Sequence, residues 1–243
     1  MKWFLKKVFL YDRLYPLLKK TSLYKLFKKY YAQLAATMYN NPSGGMFVIG
    51  ITGTNGKTTT ANILHHLLNK HVWKTFLVSS ATIKFGENQE FNETKMSSLD
   101  SFQLQKLLVR AKDEWCQVAI IEVTSHGLDQ HRFAGIKFDM AILTNITNDH
   151  IEYHGSFDAY VKAKKKLFKA VLSNGKSESF AVLPKDDATG RKWDESMSFD
   201  HKLSFGVASN ANMAATSINE TKDGTSCQVS YLGQEFSLST QLV

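Results

Sequence analysis

The stretch Gly50-Ile-Thr-Gly53-Thr-Asn-Gly56-Lys57-Thr58-Thr59 lies between an apolar run, Met46 to Ile49, and a segment with helical spacing. A glycine-rich turn that leaves a strand and opens a helix is the setting in which a phosphate-binding loop works. We read it as a P-loop of the G-x-x-x-x-G-K-[ST] kind, with Gly50, Gly56, Lys57 and Thr58 as its fixed positions. Backbone N–H groups and the helix N-terminus then cradle phosphates, Lys57 reaches the terminal phosphates, and the Thr58 hydroxyl is offered to Mg²⁺.

Outward from this loop, apolar runs alternate with helical patterns. The reading predicts strands at 46–52, 75–80, 117–123, 139–144 and 179–183, and helices at 57–70, 99–114 and 156–173. That order predicts an α/β fold, a mostly parallel sheet with helices on both faces. From about 200 onward, short strands separated by Gly206, Gly224 and Gly233 suggest a small antiparallel β appendage. The breaker cluster Asn41-Pro42-Ser43-Gly44-Gly45 marks a boundary, so residues 1–44 are expected to form a basic, amphipathic helical extension and 45–243 the nucleotide-binding domain.

Charge is unevenly spread. The net +8 of the 243-residue chain is matched by residues 1–31 alone, where nine basic side chains face the single Asp12. The rest is neutral, so nucleic-acid binding by the body is not indicated. In the basic segment Phe4, Val8, Tyr11, Tyr15 and Leu18 form one helical stripe and Leu23, Leu26, Phe27, Tyr30 and Leu34 another, with Pro16 between them. No apolar run reaches the ~20 residues that span a bilayer. Two readings stay open: residues 1–38 lie on an anionic membrane surface, or they pack on the main domain. Cys116 and Cys227 show no metal-ligand spacing, which fits a reducing compartment, the cytoplasm or the inner face of the plasma membrane.

Further polar residues end the apolar runs. Glu122 closes Val118-Ala-Ile-Ile, where a charge is costly without a cation or partner, and a carboxylate at a strand end is the usual second anchor for Mg²⁺. Thr144-Asn-Ile-Thr-Asn-Asp-His150 leaves the strand 140–143 at the edge where α/β sheets bind ligands. At about 100° per residue, Phe157, Val161, Phe168 and Val171 define an apolar face with Lys164 at its centre, while Lys162, Lys165, Lys166 and Lys169 point away. An inward lysine loses hydration, its pKa falls, and the neutral amine that results can take up CO₂. A snorkelling lysine whose stem covers apolar surface is the alternative.

Gly53-Thr-Asn-Gly-Lys-Thr-Thr-Thr60, Glu122-Val-Thr-Ser-His-Gly-Leu128 with Gln130-His-Arg132, and Thr144 to His150 followed by Ala163-Lys164 and Leu167-Phe168 together resemble the Mur ligases, the MurE type above all. The resemblance covers about residues 45–240. It implies an ADP-forming amide ligase of peptidoglycan precursor synthesis: ATP phosphorylates the terminal carboxylate of UDP-MurNAc-L-Ala-D-Glu, and an incoming amino acid displaces phosphate. It also implies that Gly53, Thr54, Asn55, Gly56, Lys57, Thr58 and Thr59 bind ATP. Thr58, Glu122, His150 and a carbamylated Lys164 would hold Mg²⁺, with Lys57, Lys164 and His150 catalytic. Ser97, Ser98, Thr124, Gln130 and Arg132 would hold the UDP-MurNAc-dipeptide.

The chain departs from that family at three places. Ser97-Ser98-Leu99-Asp100 replaces a Thr-Thr-Pro-Asp loop, only the short basic segment stands where a uridine-holding domain is usual, and the chain stops at Val243 before the expected C-terminal domain. The piece alone is therefore expected not to complete a turnover. Folylpolyglutamate synthase, with the same P-loop and acyl-phosphate chemistry, is the rival enzyme, and a membrane-attached nucleotide-binding module without ligase activity is the rival of another class.

Overall fold

The structure is a computed structural model that describes residues 21–91, 99–207 and 210–241. In chain order the elements are α1 (Ser22–Met38), a 3-10 turn (Pro42–Gly45), β1 (Phe47–Thr52), α2 (Lys57–His71), β2 (Thr75–Val78), β3 (Thr82–Phe85), β4 (Asn88–Phe91) and α3 (Ser101–Asp113). Then come β5 (Val118–Glu122), α4 (Ser125–Asp129), β6 (Met140–Leu143), α5 (Ile151–His154), α6 (Phe157–Leu172), β7 (Phe180–Pro184) and α7 (Ala188–Ser196). The chain closes with β8 (His201–Val207), β9 (Met213–Thr221), β10 (Gly224–Tyr231) and β11 (Gln234–Thr240).

The described strands form one sheet in the order β11-β10-β9-β8-β7-β6-β1-β5-β2-β3-β4. From β2 across to β9 the neighbours run parallel. Both margins are antiparallel, β3–β4 at one and β9–β10–β11 at the other. The antiparallel strands foreseen after residue 200 are thus an extension of the same sheet rather than a separate body. The hairpin β3–β4 was not foreseen; four-residue strands with half-exposed side chains carry little apolar signal.

Two apolar layers hold the sheet between helices. On one face Ile49, Ile51, Leu77, Val118 and Ile120 pack against Ala61, Leu64 and Leu68 of α2. The other face buries Val48, Phe76, Ala119, Ile121 and Ala141 with Leu104 and Leu108 of α3 and Leu167 and Phe168 of α6. The central strands are buried on both sides, which is why they read as continuous apolar runs rather than as alternation.

Residues 1–20, and with them Pro16 and the stripe Phe4, Val8, Tyr11, Tyr15 and Leu18, lie outside the described residues. The second stripe does not pack on the domain. Instead α1, capped by the Thr21 hydroxyl on the Tyr24 N–H, buries Ala32, Ala35 and Ala36. A Cβ added to Gly135 would sit 2.6 Å from that of Ala36, so small residues on both sides let the backbones approach. The Tyr31 ring meets that of Phe102 of α3 at a tilt, with centroids 4.8 Å apart, and Lys25 pairs with Asp129 at 2.8 Å.

Candidate active site

Parallel pairing brings the carboxyl ends of β1, β2, β5 and β6 to one edge, with Ile51 beside Glu122, Thr52 beside Leu143 and Val78 beside Ile121. β1 sits between β5 and β6, the crevice position where open α/β sheets take ligands. The loop Gly53–Gly56 leaves β1 here and turns into α2. Gly56 is the N-cap residue at φ 79°, and no side chain caps this end. The first-turn N–H groups of a helix have no intrahelical acceptor, so this end is open to an anion.

One fixed position was misread. Five residues, not four, separate Gly50 from Gly56, and Gly50 lies inside β1, where an added Cβ would meet Leu167 Cδ1 at 2.6 Å and Phe138 Cε1 at 2.9 Å. Gly50 is there for packing against α6. The loop's own demanding glycine is Gly53, at φ 153°, where a Cβ would fall 1.9 Å from Thr144 Oγ1.

The loop is fastened to the segment after β6. Asn145 accepts from the Thr54 N–H through its carbonyl at 2.9 Å and from the Asn55 N–H through its side chain at 3.0 Å. Thr144 Oγ1 donates to Asn55 O at 2.6 Å. Thr54 Oγ1 accepts from the Thr147 N–H at 3.0 Å and lies 2.9 Å from the Tyr160 hydroxyl of α6. The loop is therefore held in shape by side chains far away in sequence, before any phosphate binds.

Two lysines meet at the loop. Lys57 folds back and donates to Gly53 O at 3.1 Å and Thr54 O at 2.8 Å. Lys164, only 2% exposed, donates to the same Gly53 O at 2.6 Å and lies 4.6 Å from the Tyr160 ring. Burial lowers the pKa of both. For Lys57 the charges of Glu122 and Asp149 oppose the fall. For Lys164 the Lys57 charge adds to it, Asp149 opposes it, and the value comes to about 7. The inward placement read from helical spacing is what the structure has.

Glu122 is 4% exposed and has no ion-pair partner among the described residues. Its Oε2 accepts from Thr58 Oγ1 at 2.9 Å, from the Ser80 N–H at 3.0 Å and from Ser80 Oγ at 3.3 Å. A buried carboxylate beside a threonine and a serine hydroxyl is an all-oxygen set that suits a hard divalent cation such as Mg²⁺. Among the described residues no cluster of three or more His, Cys, Asp and Glu could hold a metal. Mg²⁺ is usually held by one or two carboxylates plus substrate oxygens.

His150 stands apart from this pair. It has a left-handed backbone at φ 50°, its side chain is 45% exposed, and its partners are Asp149 at 3.4 Å and Glu152 at 3.8 Å. No hydrogen bond or ion pair among the described residues joins it to Glu122 or Thr58. Its ring meets His126 at a centroid distance of 4.7 Å. Burial, reinforced by His150, His154 and Arg132 and opposed by Glu152, pushes the His126 pKa down to about 4.

The residues assigned to substrate divide into three. Ser97 and Ser98 lie outside the described residues. Thr124 caps α4 by accepting from the Gly127 N–H at 3.1 Å. Gln130 and Arg132 are brought together: Arg132 Nε and Nη2 reach Gln130 Oε1 at 3.1 and 2.9 Å, while Gln130 Nε2 donates to the Tyr153 hydroxyl at 3.1 Å. Ser80 and Tyr160 were missed, and Asn145 was noticed only as a polar strand-end residue. Ser80 has no local motif and reaches Glu122 only through the pairing of β2 with β5.

Comparison with known proteins agrees with this architecture. The Mur ligase middle domain model matches residues 51–243. The chain belongs to the Mur ligase family. It is 38% identical over 186 residues, 76% of its length, to UDP-N-acetylmuramoyl-L-alanyl-D-glutamate--2,6-diaminopimelate ligase of Synechococcus elongatus. It is 33% identical over 212 residues, 87% of its length, to UDP-N-acetylmuramyl-tripeptide synthetase 2 of Oceanobacillus iheyensis. It spans 36% and 43% of those two relatives. A solved UDP-N-acetylmuramoyl-L-alanyl-D-glutamate--2,6-diaminopimelate ligase superposes with a TM-score of 0.71 at 26% identity, over 81% of this chain and 39% of that one. Escherichia coli FolC, in complex with DHPP and ADP, shares the fold with a TM-score of 0.61 at 18% identity, over 84% of this chain and 51% of its own.

Proposed function

We propose that this chain is the ATP-binding part of an ADP-forming ligase that adds an amino acid to UDP-MurNAc-L-Ala-D-Glu in the cytoplasm, with residues 45–243 as the ATP-binding domain and 1–44 as an extension. The observation that carries the reading is the open helix end at Gly56 beside buried Glu122, whose carboxylate already accepts from the Thr58 hydroxyl. The names of the two relatives support this choice of substrate.

In this reading Gly53 through Thr59 wrap the ATP phosphates, and Lys57 exchanges the carbonyls of Gly53 and Thr54 for phosphate oxygens. Thr58 and Glu122 would hold Mg²⁺, with His150, which stands apart from that pair here, and Lys164 as its carbamate as the further proposed ligands. When bound, Mg²⁺ neutralises phosphate charge. An oxygen of the substrate carboxylate takes the terminal phosphoryl group and ADP leaves. The amino nitrogen of the incoming amino acid then attacks the acyl carbon, inorganic phosphate departs, and the nitrogen gives up a proton. Thr124, Gln130, Arg132, Ser97 and Ser98 position the nucleotide-linked peptide. The Arg132 fork, now closed on Gln130, suits a carboxylate or phosphate.

The test is ADP release by the full-length gene product with UDP-MurNAc-dipeptide and single amino acids. Release that needs both substrates supports the proposal. Stimulation by a folate and not by UDP-MurNAc-dipeptide would move the protein to the folylpolyglutamate synthase reading, and ATP turnover indifferent to both would favour the nucleotide-binding module.

A further inference from the structure

α1 is amphipathic with its apolar side turned outward. Its alanines face the domain, and Lys25 and Lys28 reach inward to Asp129 at 2.8 Å and Asp100 at 4.0 Å. On the opposite side Leu23, Phe27, Tyr30, Leu34 and Met38 are between 55% and 77% exposed, one unbroken stripe along the helix. Scattered surface hydrophobics need no explanation, but a continuous stripe marks a contact face.

Beside the stripe a cleft of about 610 Å³ opens between α1, α6 and the segment before β6. Lys29, Lys137, Lys166 and Lys169 line it. Of the four, only Lys166 has a carboxylate partner among the described residues, Asp129 at 3.3 Å. Lys29 belongs both to the cleft and to the flank of the stripe, so apolar and cationic surfaces are continuous.

We propose that α1 and this lysine cleft form a docking face for an anionic lipid bilayer, the stripe entering the acyl boundary while the lysines meet the headgroups. Charge decides between the occupants that an apolar stripe admits. Residues 1–31 carry nine basic side chains against one acidic, and residues 1–20 alone carry six against one. A second copy of the chain would bring its cations against these cations, and so would residues 1–20 folded back over α1. An anionic surface instead gains from each cation not already held by a carboxylate, as Lys25 and Lys28 are. No helix of the described residues is long and apolar enough to cross a membrane, and the contact proposed is a peripheral one, with α1 lying along the surface. The inference stands apart from the ligase reading, because the face is built from α1 and the cleft rather than from the phosphate loop.

The experiment is co-sedimentation of the 243-residue chain with vesicles of equal parts phosphatidylglycerol and phosphatidylcholine, against vesicles of phosphatidylcholine alone. Binding should favour the anionic vesicles and fall as salt rises. The exposed pair Phe27→Glu with Leu34→Glu, and separately Lys29→Glu with Lys169→Glu, should each weaken partitioning by about tenfold or more. Phe91→Glu, at the end of β4 and 80% exposed, should leave it unchanged. Thermal melts matched to the parent chain show that the variants remain folded. Equal binding to both vesicle types would overturn the proposal. So would loss of binding on Lys6→Glu with Lys7→Glu while the α1 and cleft variants bind normally. A dimer in solution that Phe27→Glu disperses, without any vesicle binding, would assign the stripe to a second copy instead.

Discussion

Lys164→Met isolates the cost of burying an ammonium against the phosphate loop. Burial and the Lys57 charge pull the Lys164 pKa from 10.5 down to about 7. Between those values the unfolded chain holds a proton that the folded chain does not, so stability rises with pH across that window. The full penalty is present below about pH 7. The difference, 10.5 less about 7, is about 3.5 units, or about 5 kcal/mol at 1.36 kcal/mol per unit. Between about pH 6 and about pH 9, roughly 3 kcal/mol of this is relieved. Methionine keeps a long flexible chain without a charge. It gives up the bond to Gly53 O, which keeps Lys57 as a donor at 3.1 Å. Urea unfolding in CO₂-free buffer should show the parent chain gaining about 3 kcal/mol more than the variant over that pH range, with the variant the more stable below pH 7. Parallel profiles would refute the reasoning, since Lys164 would then hold the same charge in both states.

Three further outcomes follow from the site. Lys57→Ala should abolish Mg-ATP binding to this chain in calorimetry; unchanged affinity would mean that the loop does not hold the phosphates. Glu122→Gln should remove the dependence of ATP binding on Mg²⁺, so that EDTA weakens the parent and hardly affects the variant, at a stability cost of about 1.5 to 3 kcal/mol for bonds to a lost charge. Lys164→Ala in the full-length gene product should lose most activity and recover part of it with short-chain carboxylic acids, while Lys165→Ala does little. A missing carbamate resonance after ¹³CO₂ labelling would count against the modification independently of turnover.

What could be read from sequence, and what could not, divides along the distance over which each interaction acts. β1 and β5 were legible because burial on both faces leaves a continuous apolar run, and α2 and α6 because burial on one face leaves a helical period in consecutive residues. Lys164 was legible for the same reason, as a cation at the centre of an apolar helical face. The outward turn of α1 was not. Periodicity locates its stripe correctly, but the packing surface is the alanine side, and only the partner glycine, Gly135, makes that side the closer fit. Gly50 was misassigned against the spacing itself, since five residues rather than four separate it from Gly56, and the structure adds that Leu167 and Phe138 lie against it.

Ser80 follows the same rule from the opposite direction. Nothing around it announces a site, yet its N–H and hydroxyl fix Glu122 Oε2, and it lies 3.2 Å from the Thr58 hydroxyl. It is delivered there by the register of β2 on β5, in which Val78 pairs with Ile121, one residue short of Glu122. A slip of one residue would turn the side chains of β2 to the other face of the sheet. The buried strand Thr75–Val78, which carries no chemistry, thus positions an oxygen ligand candidate more strictly than any motif does. A cation site shared between a loop, a strand end and a serine from a neighbouring strand can be assembled only by the sheet, so its integrity should track the stability of β2 and β5 as closely as the identity of the loop.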